Sequence, residues 1–290
     1  MTPRAVDVVV VAYRSRELLR RCLDSLVGHP PQCELNVFVV DNASSDGTVE
    51  LLGDRFPDVW LHAAADNLGF AKATNIGIRA GKAPYVLVLN PDTEATAGAL
   101  DRMLDLMDGH PEVGIAGCRL ELEDGSLDHA AKRSFPTPLS ALGHFSGLRL
   151  GGQLGAYTAP GVESGPVDAV NGAFMLIRRA ALEEVGLFDE GYWMYMEDLD
   201  LCYRFAQAGW TTWYESTVIF RHVKHGTSGL VRSPRLERAF HYGMYRFYRK
   251  HYARRRNPVL NGAVYAGIAL KLGSSVGRVA VLRLLAGRRG

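Results

Sequence analysis

The sequence predicts an α/β fold built on a doubly wound, Rossmann-like mixed sheet with a C-terminal helical tail, and three observations carry its doubly wound part. Residues 6–13, VDVVVVAY, form a near-continuous β-branched run of the kind buried on both faces of a parallel sheet. Strand-like and amphipathic segments then alternate as β-α-β-α-β-α-β up to Leu89, the pattern of a parallel, right-handed doubly wound sheet. Polar residues follow three of these strands: Tyr13 and Arg14, Asp41 and Asn42, Asn90 and Asp92. Ligands on such sheets gather at the carboxyl ends of the strands, so three strand ends contribute to one edge.

Each element has its own signal. Ser15 is placed to cap a helix whose stripe is Leu18, Leu19, Cys22, Leu23 and Leu26, ending near Gly28 and the Pro30-Pro31 break. Residues 35–40 (LNVFVV) are the second strand, which delivers Asp41 to the turn NASSDGT; Val49, Leu51, Leu52 and Phe56 then indicate a short helix. Residues 59–62 are a third strand, 70–80 a helix and 85–89 (YVLVL) a fourth strand. A helix over 98–107 and a strand over 113–118 follow, and 120–127 reads as a hairpin around Asp124-Gly125. Residues 130–166 are rich in Gly and Pro with little periodicity, a long loop or lid. Residues 167–177 restore a single strand, and Arg178-Arg179 lead a short helix. From Asp198, Leu199, Cys202, Tyr203 and Ala206 recur at helical spacing up to a cap at Gly209. Two further strands are expected at 211–214 and 218–223, then a helix from Pro234 to about His251. There is no internal repeat.

Composition narrows the class. A chain of 290 residues, 47% hydrophobic, has ample material for a substantial core. The formal net charge of +2 does not point to nucleic acid, but from Arg232 to Arg256 nine Arg or Lys stand against the single acid Glu237. The four cysteines are far apart with no CxxC pair, which fits neither a zinc site nor a disulfide scaffold and suits a reducing cytoplasm. The apolar run 8–12 is too short for a signal peptide, and no uninterrupted apolar stretch reaches the length of a membrane span.

Five places carry residues suited to chemistry. Asp41, just past a buried strand, is where an acid receives a nucleotide's ribose or base; the bland alternative is an Asx-turn. Asn67-Leu68-Gly69-Phe70 opens a helix whose first amides, with Lys72 nearby, suit phosphate. In Asn90-Pro91-Asp92 the proline holds the chain extended and aims Asp92 off the strand end, where one carboxylate can hold a hard divalent cation shared with phosphate oxygens; the alternative is a turn acid. His222 and His225 in RHVKHG offer metal ligation, with His222 preferred, against a structural role. Finally Tyr192, Trp193, Met194, Tyr195 and Met196 form an apolar wall leading up to Glu197, Asp198 and Asp200 at a helix start. Acids there cap helices routinely, but aromatic groups beside acids also suit a polyhydroxylated ligand. No GxGxxG follows the first strand and no GxxxxGK[ST] occurs, so neither a dinucleotide fold nor a P-loop is supported.

In this order VVAYRS, VVDNASSDGT, NLGFAKATNIG, LVLNPDT, NGAFMLIRR, FDEGYWMYMEDLDLCYR and RHVKHGTS resemble the family 2 glycosyltransferases of GT-A fold, most closely their bacterial rhamnosyltransferase branch, over about residues 6–230. The resemblance implies a catalytic domain over 1–233, with a nucleotide-binding half (1–95) and an acceptor-binding half (96–233), and a helical tail over 234–290. It implies a nucleotide-diphosphate sugar donor, with dTDP-L-rhamnose the expected one, whose nucleoside is held by Ala12, Tyr13, Arg14 and Asp41. Asp41 would accept the N3 proton of thymine or uracil. Asn67, Gly69, Lys72 and Asn90 would lie near the diphosphate, and Asp92 and His222 would hold Mg²⁺ or Mn²⁺. Asp198 would be the base, Glu197 would bind acceptor hydroxyls or orient the base, and Trp193 and Tyr195 would floor the acceptor side. Asp200 would support the helix start or reach Arg204 at i+4. The chain departs from the common DxD pattern in having Asn90 first, which leaves Asp92 as the main carboxylate.

The tail mixes aromatics, bases and apolar runs, which suits a helix lying on an anionic membrane surface. Its alternatives are helices packed on the catalytic domain, or a homodimer contact. The expected acceptor is therefore a glycan or a polyprenyl-diphosphate-linked sugar, met by a cytoplasmic enzyme peripheral on the inner face of the plasma membrane. Competing readings are a sugar nucleotidyltransferase, which would want a basic Gly-rich loop where Tyr13-Arg14-Ser15 stands, and a non-catalytic sugar-nucleotide binder.

Overall fold

The computed structural model describes residues 4–136, 163–223 and 233–286, with side chains described to residue 277. The first half follows the predicted alternation. β1 (Ala5–Ala12) pairs in parallel with β2 (Glu34–Asp41) and β4 (Tyr85–Leu89), and β2 pairs with β3 (Trp60–Ala63). The crossovers are α1 (Arg16–Gly28), α2 (Thr48–Arg55) and α3 (Phe70–Ala80). Every residue of β1 is buried, as its unbroken apolar run requires of a central strand covered on both faces. Ser15 stands at the cap position of α1, but its hydroxyl makes no cap bond; the amide of Arg16 donates instead to Asp46 Oδ2 at 3.1 Å.

The second half changes direction. β5 (Thr93–Glu94), α4 (Ala99–Gly109) and β6 (Val113–Glu121) lead into the expected turn at Gly125, in the left-handed region at φ 79°. The strand expected over 167–177 is two: β9 (Ala169–Val170), paired with β7 (Lys132–Arg133), and β10 (Phe174–Arg178). Asn171 makes the break, accepting the amide of Ala173 on its side chain at 2.9 Å and that of Phe174 on its carbonyl at 3.1 Å. β10 runs antiparallel to both β4 and β6, so the sheet is mixed, as the expected fold class has it. The apolar run FMLI marks burial on both faces, which does not encode direction. The two strands expected at 211–223 are one, β11 (Thr211–His222), parallel to β6 with a register shift between Glu215 and Ile219. β8 (Gly165–Pro166) pairs with β11, and the main path among the described residues is β3-β2-β1-β4-β10-β6-β11-β5.

Around this sheet lie α5 (Arg179–Val185) and α6 (Glu197–Gln207), followed by α7 (Pro234–His251) and α8 (Pro258–Ala286). Two apolar clusters fill the two faces, one under α1 and α4, the other under α3, α5 and α6, with Phe247 of α7 in the second. All four cysteines are unpaired. Residues 258–277 of α8 have mean hydropathy 1.2 and are only 11% buried, long and apolar enough by length and composition to cross a membrane. The run is still interrupted, by Asn261, Lys271 and Ser274-Ser275, but these do not lower its mean below that of a span.

Candidate active site

The carboxyl edge of the parallel strands assembles the first group of polar residues. Register places Ala12 beside Asp41, and the amide of Asn42 donates to the Ala12 carbonyl at 2.8 Å. Asp41 is buried; its Oδ2 accepts the amide of Ser44 at 3.2 Å, as an Asx-turn acid would, whereas its Oδ1 is buried without a hydrogen-bond partner. Turn and ligand readings of Asp41 are thus compatible: one oxygen holds the turn, and the other remains for a donor such as a base N–H. Three side-chain-bearing residues here, Arg14, Ala43 and Ser45, sit at positive φ (51°, 62° and 53°), backbone strain of the kind stored at ligand-facing turns. Tyr13 is exposed and its ring carries the Arg14 guanidinium at 5.4 Å.

The NLGF loop is pinned from two sides. Asn42 donates to Asn67 Oδ1 and to the Gly69 carbonyl, both at 3.2 Å, and accepts the Leu68 amide at 2.7 Å. Gly69 has φ 83°, and a Cβ there would overlap the Trp193 carbonyl and ring, so both space and conformation demand glycine. The Trp193 carbonyl accepts the Phe70 amide at 2.8 Å and its indole N–H donates to the Asn67 carbonyl at 3.4 Å. Trp193, expected on the acceptor side, therefore joins this loop to the start of α6, with the Arg235 guanidinium 4.1 Å above its ring. Lys72 is exposed on α3, where its charge helps hold the Glu190 carboxyl below its usual value, after hydrogen bonds from Asn75 and Arg79.

Beyond β4, Asn90 and Thr93 close a tight turn, Thr93 N–H donating to the Asn90 carbonyl at 3.1 Å, with Asp92 buried inside it. β11 returns from the far end of the chain so that the Val223 amide donates to the Asp92 carbonyl at 2.9 Å, which sets His222 beside Asp92. His222 Nε2 lies 3.4 Å from Asp92 Oδ1, and Nδ1 lies 3.0 Å from Asp128 Oδ2. Burial alone would lower the imidazole pKa, but hydrogen bonds to Asp128 and Asp92 and their charges push it up to about 9. A carboxylate behind one ring nitrogen, with a second carboxylate facing the other, is the arrangement that orients a metal-ligating histidine. Among the described residues no group of three His, Cys, Asp or Glu could enclose a metal. Asp92 and His222 supply two donors, which fits a hard cation that takes its other ligands from phosphate oxygens and water, not an all-protein cage. His225 lies outside the described residues.

The second group surrounds the start of α6. Tyr195 and Met196 are consecutive residues at φ 70° and 72°, so the chain enters the helix through a left-handed turn, and no side chain caps it. Asp198 is buried: its Oδ2 accepts from Arg133 Nη2 at 2.5 Å and from the Gly172 amide at 3.1 Å, and its Oδ1 from the Leu199 amide at 2.7 Å. Arg133 is itself oriented by the Val170 carbonyl at 2.9 Å. Glu197 is buried with Oε2 unpartnered; burial, then the Asp198 charge beside it, pushes its pKa up to about 8. Asp200 does reach Arg204 at i+4, at 2.9 Å, and also takes Lys250 and His251 of α7 and the Tyr192 hydroxyl. The wall divides accordingly: Tyr192 is fully buried in the core, whereas Tyr195 is half-buried with its ring 5.9 Å from that of Phe240.

Sequence reasoning passed over Arg133 and Asp128, which lie at the edges of the stretch without periodicity, and the linking role of Asn42. Each was legible only as a polar residue near a turn; what gives it a task is a partner up to 94 residues away.

Comparison with known proteins gives the family of the chain. Residues 3–238 match the model of the "Glycosyltransferase like family 2" family. The chain is 33% identical, over 82% of its length and 81% of the relative's, to an N-acetylglucosaminyl-diphospho-decaprenol L-rhamnosyltransferase of Mycobacterium tuberculosis. It is 28% identical to a pre-mycofactocin glycosyltransferase of the same organism, over 99% of this chain and 57% of that one. Among solved structures it resembles GalNAc-T7 in complex with UDP, GalNAc and Mn²⁺ (TM-score 0.65, 15% identity, 86% of this chain and 48% of that one). It also resembles a mannosyltransferase of Pyrobaculum calidifontis in complex with GDP-mannose and Mn²⁺ (TM-score 0.58, 18% identity, 100% and 76%). With its mixed GT-A sheet and the matched 236-residue span, the chain belongs to glycosyltransferase family 2 and is a glycosyltransferase.

Proposed function

We propose that the chain is an inverting, metal-dependent rhamnosyltransferase that moves L-rhamnose from dTDP-rhamnose to a hydroxyl of a polyprenyl-diphosphate-linked sugar. The observation that carries this reading is the convergence of residues from distant parts of the chain into two sets. Asp92, His222 and Asp128 form one, and Glu197, Asp198 and Arg133 the other. The choice of donor and acceptor is supported by the mycobacterial relative, which is named for both rhamnose and a decaprenol-diphosphate sugar.

In this account the free oxygen of Asp41 accepts the N3 proton of thymine, and Ala12, Tyr13 and Arg14 frame the nucleoside. Asn67, Gly69 and Asn90 line the diphosphate; Lys72, exposed near Glu190, contributes long-range charge. Asp92 and His222 would hold Mg²⁺ or Mn²⁺, which supplies charge neutralisation for the departing diphosphate. The acceptor hydroxyl attacks the anomeric carbon as the bond to the diphosphate oxygen breaks, and a single displacement inverts that centre. Its proton goes to Asp198, since a hydroxyl needs a base within hydrogen-bond reach. Of the two neighbouring acids, Asp198 lies against the Arg133 guanidinium and so keeps a partner for its charge, whereas burial and the Asp198 charge push the Glu197 pKa up, which favours its protonated form as a hydrogen-bond donor to the acceptor. Trp193 and Tyr195 border the acceptor side.

A site at the inner face of the plasma membrane is supported by charge: from Arg238 onward the chain has twelve Arg or Lys and no acid, and α8 leaves Val259, Leu260 and Leu270 exposed. Each base near an anionic surface contributes about 1 kcal/mol. The test ranks dTDP-, UDP- and GDP-sugars by thermal shift with Mg²⁺ or Mn²⁺, then follows nucleoside diphosphate release with and without a short-chain polyprenyl-diphosphate sugar. The expected result is strongest stabilisation by dTDP-rhamnose and release only with acceptor. Preference for another nucleotide sugar, or release without acceptor at the same rate, contradicts the proposal.

A further inference from the structure

We infer that α7, most of which lies beyond the family match ending at residue 238, is a working part of the active site: it closes on the strained turn at Tyr195-Met196 and thereby sets the orientation of Glu197 and Asp198. The inference rests on the assignment of these two acids to the reaction. Two consecutive side-chain-bearing residues in the left-handed region persist only where the surroundings over-determine them. No side chain caps α6, and before the turn the Trp193 carbonyl is anchored on the Phe70 amide at 2.8 Å.

Beyond that anchor, restraint comes from α7, at three levels of the helix. At its first turn Arg235 stacks on Trp193, two residues before the strained pair. In its middle Phe240 meets Tyr195 edge-on at 5.9 Å, and Gly243 lets the helix approach so closely that a Cβ would stand 3.0 Å from the Tyr195 carbonyl and 3.0 Å from Met196 Cγ. At its last turn Lys250 Nζ donates to Asp200 Oδ1 at 2.9 Å and to Asp189 Oδ2 at 2.8 Å, and His251 Nε2 lies 2.8 Å from Asp200 Oδ1. Arg246 adds a two-oxygen grip on Asp189, at 2.8 and 3.0 Å. Asp189 precedes the turn and Asp200 follows it, so α7 holds the segment from both ends and from above. Gly243, Lys250 and His251 are positioning residues; none is placed against substrate.

A glycine inside a long helix normally weakens it, so Gly243→Ala should strengthen α7 itself if the helix were a passive appendage. If α7 positions the acids, the added methyl displaces the turn. The experiment uses the full chain and two variants, Gly243→Ala and Lys250→Gln, with Lys250→Arg as the conservative control. Hydrogen exchange of the 192–200 amides is read first, because it needs no substrate. The variants are expected to exchange there at least tenfold faster while β1 and β4 stay protected, with Lys250→Arg close to wild type. In the transfer assay with dTDP-rhamnose and a polyprenyl-diphosphate sugar, kcat is expected to fall 10- to 100-fold at unchanged donor KM. Unchanged exchange at 192–200 in both variants overturns the inference, as does wild-type kcat in both. Absence of transfer by the wild-type enzyme with these substrates counts against the proposed reaction alone, and the exchange result then decides this inference.

Discussion

Asp41 is held by Ser44, three residues away within one βα unit, whereas Asp198 is held by Arg133, 65 residues upstream, by Gly172 and by its own helix start. The edge carrying Asp41 thus comes from one continuous run of chain. The acceptor-side pair is assembled from the 132–133 strand, the Asn171 break, α6 and α7. Their electrostatics differ in the same sense. Asp41 keeps one buried oxygen without a partner, while Asp200 is held by Arg204, Lys250 and His251. In the proposed account the first region is completed by the donor, whereas Asp200 fixes the second in advance and leaves Glu197 Oε2 unpartnered for the acceptor.

That contrast predicts where substitutions act. The largest effect on stability is expected at Asp200→Asn, which takes from half-buried Arg204 and His251 and from exposed Lys250 the buried carboxylate they share; losing one partner of a fully buried pair costs about 3–5 kcal/mol, the upper bound here because these partners reach solvent. Burial alone would raise the Asp200 pKa, but His251, Lys250 and Arg204 hold it well below the usual value of 3.8. Its stabilisation is therefore complete above that value and is lost as pH falls below it toward the folded-state pKa. Melting temperatures between pH 3 and 7 should show the wild type losing stability on the acid side more steeply than Asp200→Asn. Equal acid limbs would mean that Asp200 is not held by these cations.

A smaller and differently placed effect is expected at Asp41→Asn. Its unpartnered oxygen contributes nothing to the fold without ligand, so the melting temperature should stay close to wild type. A lost hydrogen bond to a charged group costs about 1.5–3 kcal/mol, roughly 10- to 100-fold in donor Kd by calorimetry. A variant that melts much earlier yet binds donor normally would reverse the comparison between the two regions.

The same contrast explains what was legible in the sequence. β1, β2, β4, α3 and α7 announce themselves by local period, and Asp41 and Asp92 by their place after a buried run. The antiparallel entry of β10, the split at Asn171 and the fusion of 211–223 into one strand depend on which neighbours a strand meets, and local pattern does not record that. Asp92 and His222 could be paired from motif order. Arg133 and Asp128 could not, because their partners are reached only once β7 and the Gly125 turn have folded back onto the sheet. Trp193 shows the same limit: the wall was visible as a wall, but its seat on the NLGF loop depends on a tertiary contact that only glycine at 69 permits.

The central claim is that Asp198 takes the acceptor's proton while the opposite edge binds donor independently of it. The most direct measurement compares wild type and Asp198→Asn in donor affinity by calorimetry and in nucleoside diphosphate release with acceptor. The account predicts an unchanged donor Kd and turnover lowered about 10²- to 10⁴-fold. Transfer by Asp198→Asn at the wild-type rate would contradict it.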